Sequence, residues 1–136
     1  MHMITDKLLV GTIDDAREPP ATVGTLLLVA AEFTVEPAKW VDYHRIPITE
    51  FAEAEPSTLI RAIDWLEKHV PEGRALVCCR AGMSRSVSVV MAYLCCVDGM
   101  AYEDVFKLVM TRRPGAIPLP KLQEVIEQVR LLRLAA

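Results

Sequence analysis

The sequence predicts a single α/β domain: a mainly parallel central sheet flanked by helices, with a tight loop between the last buried strand and a buried helix. Short, continuously apolar runs alternate with longer runs of helical period, the pattern of strand–helix–strand units. The chain has 136 residues, the length of one domain, and no internal repeat. With 52% hydrophobic and 24% charged residues it has ordinary globular composition, and a chain this long buries roughly two thirds of its unfolded surface.

The elements follow in order. Residues 7–10 form a short apolar run ending at Gly11 and read as an edge strand. Residues 25–30 (Thr-Leu-Leu-Leu-Val-Ala) are continuously apolar, as a strand covered on both faces must be. Residues 43–48 are a weaker strand, interrupted by Pro47. Leu59, Ala62, Ile63, Leu66 and Val70 keep helical spacing between Pro56 at the start and Pro71 beyond the end. Residues 75–78 are another short buried strand. Residues 86–97, apolar nearly all round and closed by Gly99, predict a central buried helix. Val105, Leu108 and Val109 mark a helix stopped by Pro114, and Leu122, Val125, Ile126 and Val129 mark a last amphipathic one. The whole of residues 1–136 reads as one catalytic domain.

Composition removes several classes of function. The net charge is −3, which offers no excess of cations for duplex nucleic acid. No apolar run reaches the roughly 20 residues of a membrane span. Residues 1–7 lack a signal-peptide core, so the expected location is the cytoplasm. The four cysteines are two adjacent pairs, Cys78-Cys79 and Cys95-Cys96. Neighbours bridge only with strain, and neither pair has zinc-ligand spacing. Cys95 and Cys96 are read as small buried apolar residues. His2, His44 and His69 have no ligand company, so neither a metal nor a cofactor is expected.

The junction between the 75–78 strand and the following helix carries the chemistry, because ligands of parallel sheets sit beyond the carboxyl ends of strands. It reads Cys78-Cys79-Arg80-Ala81-Gly82-Met83-Ser84-Arg85-Ser86: a cysteine, five residues, an arginine and a hydroxyl. A tight loop entering a helix turns backbone N–H groups inward, and the helix N-terminus adds positive potential. Gly82 opens backbone conformations closed to most residues. Arg85 supplies a planar fork matched to two phosphate oxygens. The same field lowers the pKa of a thiol at the loop's base, which makes Cys79 a nucleophilic thiolate. Ser86 is placed to hydrogen-bond that sulfur when it leaves a phosphoenzyme. The backbone of Arg80, Ala81, Gly82, Met83, Ser84 and Arg85 is the expected phosphate cradle.

Residues 79–86 resemble the signature loop of the dual-specificity branch of the protein tyrosine phosphatases. Further segments are similar to that family in its order: Leu8-Leu9-Val10-Gly11 with Asp15-Ala16, Val29-Ala30-Ala31-Glu32, Ile46-Pro47-Ile48-Thr49-Glu50, Ala92-Tyr93-Leu94, Arg112-Arg113-Pro114 and Pro118. The chain departs from it in three places. Cys78 stands where the family has histidine, Glu50 where it has its aspartate acid, and Leu119 where its late turn often has asparagine. The resemblance implies hydrolysis of phosphotyrosine and of phosphoserine or phosphothreonine through a phosphocysteine.

Such a reaction needs a proton for the leaving alkoxide, and a carboxylic acid facing the cysteine delivers one. Glu50 is the expected acid, with Glu53 first and Glu55 also as alternatives in the same acidic segment. Arg80 is expected to point outward, towards acidic or multiply phosphorylated substrates. Arg112 and Arg113 end a helix, where cations suit the dipole, and border the site. The expected partner is a phosphorylated protein or a small phosphomonoester. Two other readings remain at this point: a rhodanese-type sulfurtransferase, which also sets a cysteine loop at a helix start, and a phosphate-binding pseudophosphatase without turnover.

Overall fold

The computed structural model describes residues 1–136. Its one sheet contains β1 (His2–Met3), β2 (Leu8–Gly11), β3 (Val23–Ala30), β4 (Asp42–Ile48) and β5 (Arg74–Cys78), in the order β1-β2-β5-β3-β4. All neighbours are parallel except β1 and β2. The helices are α1 (Ile13–Arg17), α2 (Pro56–His69), α3 (Arg85–Cys96), α4 (Tyr102–Arg112) and α5 (Leu122–Ala135).

β5 lies between β2 and β3, so its residues 75–78 are wholly buried, and so are Leu26 to Ala30 of β3. This is why both strands lack polar alternation. α3 packs against α2, α4 and α5 as well as β2, β3 and β5, and every residue from Arg85 to Cys95 is buried. Helix α2 opens on Pro56, whose absent N–H would have had no helical partner, and ends in a single tight turn, Val70–Glu72, that contains Pro71. Gly99 closes α3 at φ +71, and the Met100 N–H returns to the Leu94 carbonyl at 3.1 Å. One continuous core joins the sheet to α2, α3, α4 and α5.

Some expectations need correction. The strand at residues 8–11 is not an edge: His2 and Met3 pair with Val10 and Leu9 and cover it. A two-residue strand has no period to read, which is why β1 is invisible in the sequence. The short α1 is not among the elements expected from the sequence; Thr12 and Asp15 form a reciprocal capping box that starts it. The true far edge is β4, where Pro47 removes no ladder bond because nothing pairs outside it. Cys95 is buried as expected, but Cys96 is only half-buried. His44 and His69 stack on the two sides of Trp65, with ring centroids at 5.5 and 4.1 Å. No helix is long and apolar enough to cross a membrane.

Candidate active site

The loop from Cys79 to Ser84 leaves the carboxyl end of the central strand β5 and enters α3. Its carbonyls from Arg80 to Ser84 are all tied outward. Arg80 O accepts from the Ile13 N–H at 3.1 Å, and Met83 O from the Ile117 N–H at 2.8 Å. Ser84 O accepts from the Ser88 N–H at 2.8 Å. Arg113 supplies the rest, with Nε donating to Gly82 O at 3.1 Å and Nη2 to Ala81 O at 3.4 Å. A peptide whose carbonyl points out presents its N–H on the other side. None of the N–H groups of residues 80–86 donates to another backbone carbonyl, and those of Gly82, Ser84 and Ser86 turn towards the Cys79 sulfur. The N-cap Ser84 makes no side-chain bond, so the first N–H groups of α3 add to the cradle.

Gly82 makes this curvature possible. It sits at φ +67, and a Cβ there would lie 2.9 Å from the carbonyl carbon and oxygen of Gly11. Both problems fall on backbone that cannot step aside. Gly82→Ala is therefore expected to cost about 2 kcal/mol or more of stability, from the left-handed strain and the clash. A urea midpoint equal to that of the wild type would show that the loop has room to move.

Cys79 is 2% exposed, and its Sγ lies 3.3 Å from Ser86 Oγ. Burial pushes the thiol up, but the Ser86 hydroxyl and the N–H groups of Ser86, Gly82 and Ser84 outweigh it, and the net shift is downward. Cys78 goes the other way. Burial first, then the charges of Asp15 and Cys79, hold its thiol well above the ordinary value. Two adjacent cysteines thus differ because one ends the strand inside the sheet and the other opens the ring of amides.

Arg85 is 1% exposed, a buried guanidinium that needs a counter-charge. Glu32, just beyond β3, provides it end-on. Nη2 donates to Oε2 at 2.8 Å and Nη1 donates to Oε1, while Nη1 also donates to Ile48 O at 3.1 Å. Of the five guanidinium hydrogens, three are used. The Nε–H and the second Nη2–H remain, and these form the side-on fork that suits two oxygens of a phosphate. The bidentate bond from Arg85 holds the Glu32 carboxyl down at about 2 and raises Arg85 in turn. Because the folded value lies below the ordinary 4.5, this pair stabilises the fold above that pH and the contribution is lost as pH falls towards 2.

Glu50 Oε1 stands 3.9 Å from Arg85 Nη2, the nitrogen that keeps a free hydrogen. Glu53 turns away to an exposed pair with Lys121 at 3.4 Å. The chain reverses immediately after Glu50, where Phe51 takes φ +65. Cys79, Ser86, Arg85 and Glu50 are therefore brought together and Glu53 is not. Arg80 is exposed and its side chain makes no hydrogen bond or ion pair; the Glu32 carboxylate feels its charge. No group of three or more His, Cys, Asp or Glu side chains is placed to hold a metal ion. Leu119, where the family's late turn often has asparagine, is tied to α3 instead: its N–H donates to Ser88 Oγ at 2.9 Å.

Glu32 is not among the site residues the sequence singles out, and Arg113, expected only to border the site, braces the loop directly. A lone acid directly after a wholly apolar strand, at the sheet edge where ligands bind, was the available signal for Glu32. Arg113 had none beyond its neighbourhood to Pro114.

Comparison with known proteins decides the family. The family model "Dual specificity phosphatase, catalytic domain" matches residues 26–130. The chain belongs to the dual specificity phosphatase catalytic domain family. Human dual specificity protein phosphatase 15 is 30% identical over 100 residues, which cover 65% of this chain and 30% of that protein. The chain thus matches under a third of this curated relative's length. The crystal structure of human DUSP28 (Y102H) superposes with TM-score 0.85 at 25% identity, covering 98% of this chain and 96% of that one. A mouse protein assigned to the dual specificity phosphatases, in complex with zinc tungstate, gives TM-score 0.85 at 25% identity over 98% of this chain and 88% of its own. The dual specificity phosphatase fold therefore covers the regions on both sides of the family match.

Proposed function

We propose that residues 1–136 form one catalytic domain that hydrolyses phosphate monoesters through a phosphocysteine. One observation carries the reading. Every carbonyl from Arg80 to Ser84 is tied outward, and the unpaired amides converge on a thiol whose pKa is lowered. This is an oxyanion cradle with a nucleophile at its base.

The Cys79 thiolate attacks phosphorus in line while the Nε–Nη2 fork of Arg85 and the loop amides hold the equatorial oxygens. Glu50 gives its proton to the leaving oxygen as the P–O bond breaks. It then takes a proton from the water that attacks the phosphocysteine. The P–S bond breaks, inorganic phosphate departs, and the Ser86 hydroxyl donates to the released thiolate.

The substrate class is phosphotyrosine, with phosphoserine and phosphothreonine, in proteins or small molecules. Phosphotyrosine should be favoured, because a phenol near pKa about 10 leaves more easily than an alkyl alcohol. The exposed Arg80 suits acidic or multiply phosphorylated substrates. The compartment is the cytoplasm, where the thiol on which turnover depends stays reduced.

A panel of nitrophenyl phosphate, phosphopeptides, inositol lipids and nucleotides tests the proposal, with thiosulfate as the sulfurtransferase control. Phosphate release from the first two, absent in a Cys79→Ser control, is the expected result. A persulfide formed from thiosulfate would favour the rhodanese-type reading. Tungstate binding without turnover of any ester would favour the pseudophosphatase, a reading suggested by Cys78 in place of histidine and Glu50 in place of aspartate. The placement of Glu50 beside Arg85 and the lowered Cys79 thiol support turnover. The mouse neighbour's tungstate, a tetrahedral oxyanion like phosphate, supports an oxyanion-binding role for this fold.

A further inference from the structure

We propose that Arg45 is the positioning residue for the phosphate-binding arginine, acting through Glu32. The inference rests on the phosphate-site reading above.

Glu32 lies in a segment, residues 31–41, that has no helix or strand of its own. A carboxylate that must meet both Nη nitrogens of Arg85 needs a fixed backbone, and an irregular segment does not supply one unaided. Arg45, half-buried on the edge strand β4, supplies it. Its Nε donates to Phe33 O at 2.8 Å and its Nη2 to Ala31 O at 2.7 Å. These are the carbonyls of the residues on either side of Glu32. One rigid guanidinium thus clamps both flanks of the residue that aligns Arg85. Ile48 closes the circuit: its carbonyl accepts from the Ala31 N–H at 3.1 Å and from Arg85 Nη1 at 3.1 Å.

The arrangement explains why arginine stands at a surface position of an edge strand. A lysine has the charge and three donors, but all on one nitrogen at the end of a flexible stem, so it lacks the rigid planar fork that holds two carbonyls in a fixed geometry. Without the clamp, Glu32 samples orientations in which it no longer holds Arg85 end-on. The free Nε–Nη2 fork then loses its aim at the oxyanion.

The test is calorimetric titration with tungstate, which reads oxyanion binding without turnover. The proteins are wild type, Arg45→Met, Arg45→Lys, Glu32→Gln and the double variant Glu32→Gln/Arg45→Met. Arg45→Met is expected to weaken tungstate about tenfold, the usual loss when a residue that orients a liganding group is removed. Arg45→Lys should lose affinity as well, and it covers the case in which the methionine variant folds poorly. The double variant should bind no more weakly than Glu32→Gln alone, since an arginine that works through Glu32 has nothing left to position. A merely structural Arg45 would give losses that multiply, and that result overturns the proposal. So does wild-type affinity in Arg45→Met or Arg45→Lys. A wild-type protein that does not bind tungstate overturns the phosphate-site reading itself, and this inference with it.

Discussion

Cys79→Ser is expected to abolish turnover on every substrate while leaving tungstate binding and the fold nearly unchanged. The alcohol stays protonated in a field that ionises a thiol, so the nucleophile disappears. The loop amides and the Arg85 fork that hold the oxyanion are untouched. Cys78→Ser is the informative control, because the two residues are adjacent and both buried. Cys78 ends β5 inside the sheet, paired in register with Gly11 and Leu28, and its thiol is pushed up, so it should retain substantial activity. Alkylation kinetics read the same difference. Cys79 should react with iodoacetamide at a pH below its ordinary value of 9.0, and the rate should fall only when acid reprotonates the lowered thiol. Cys78, Cys95 and Cys96 have raised values and need more alkaline solution. If Cys78→Ser is as inactive as Cys79→Ser, the nucleophile has been assigned to the wrong thiol or the two act together.

Glu50→Gln should lower the rate on an alkyl phosphate by a factor on the order of 10² or more, the usual contribution of a general acid. The loss should shrink on nitrophenyl phosphate, whose leaving group needs little protonation, and the basic limb of the pH–rate profile should flatten. Glu53→Gln should do nothing comparable, because its carboxylate faces Lys121 rather than Arg85. Glu50→Asp tests the fit of the longer side chain. Removing one methylene draws the carboxyl back by about 1.5 Å, from a position 3.9 Å from Arg85 Nη2. A loop built around glutamate then loses much of its alkyl phosphate activity while keeping its nitrophenyl phosphate activity. Unchanged rates in Glu50→Gln on all substrates, with the pH dependence lost in Glu53→Gln, would move the acid to Glu53.

The sheet was legible where its strands are buried on both sides. Residues 25–30 and 75–78 carry no polar alternation because β3 and β5 are interior strands, so composition and burial say the same thing there. The helices were legible because an apolar stripe at helical spacing has one physical meaning over ten or more residues. β1 and α1 were not, since two and five residues are too few to express a period. The mistaken edge position of β2 follows directly from the missing β1.

By itself, the sequence determined that a cysteine, a glycine, an arginine and a hydroxyl share one loop between a buried strand and a buried helix. Those residues are contiguous, so their chemistry is read together, although their amides turn inward with Ile13, Arg113 and Ile117 holding the loop carbonyls. What lies across the fold from that loop was decided only by the tertiary structure. Glu32 is 53 positions from Arg85 and Arg113 is 31 from Gly82, and no local pattern marks residues that meet only because β3 pairs with β5 and α4 packs on α3. The choice between Glu50 and Glu53 is of the same kind. Both are glutamates on one short segment, and they are separated by which cation the folded chain sets opposite each: Arg85 at the cradle for Glu50, Lys121 at the surface for Glu53.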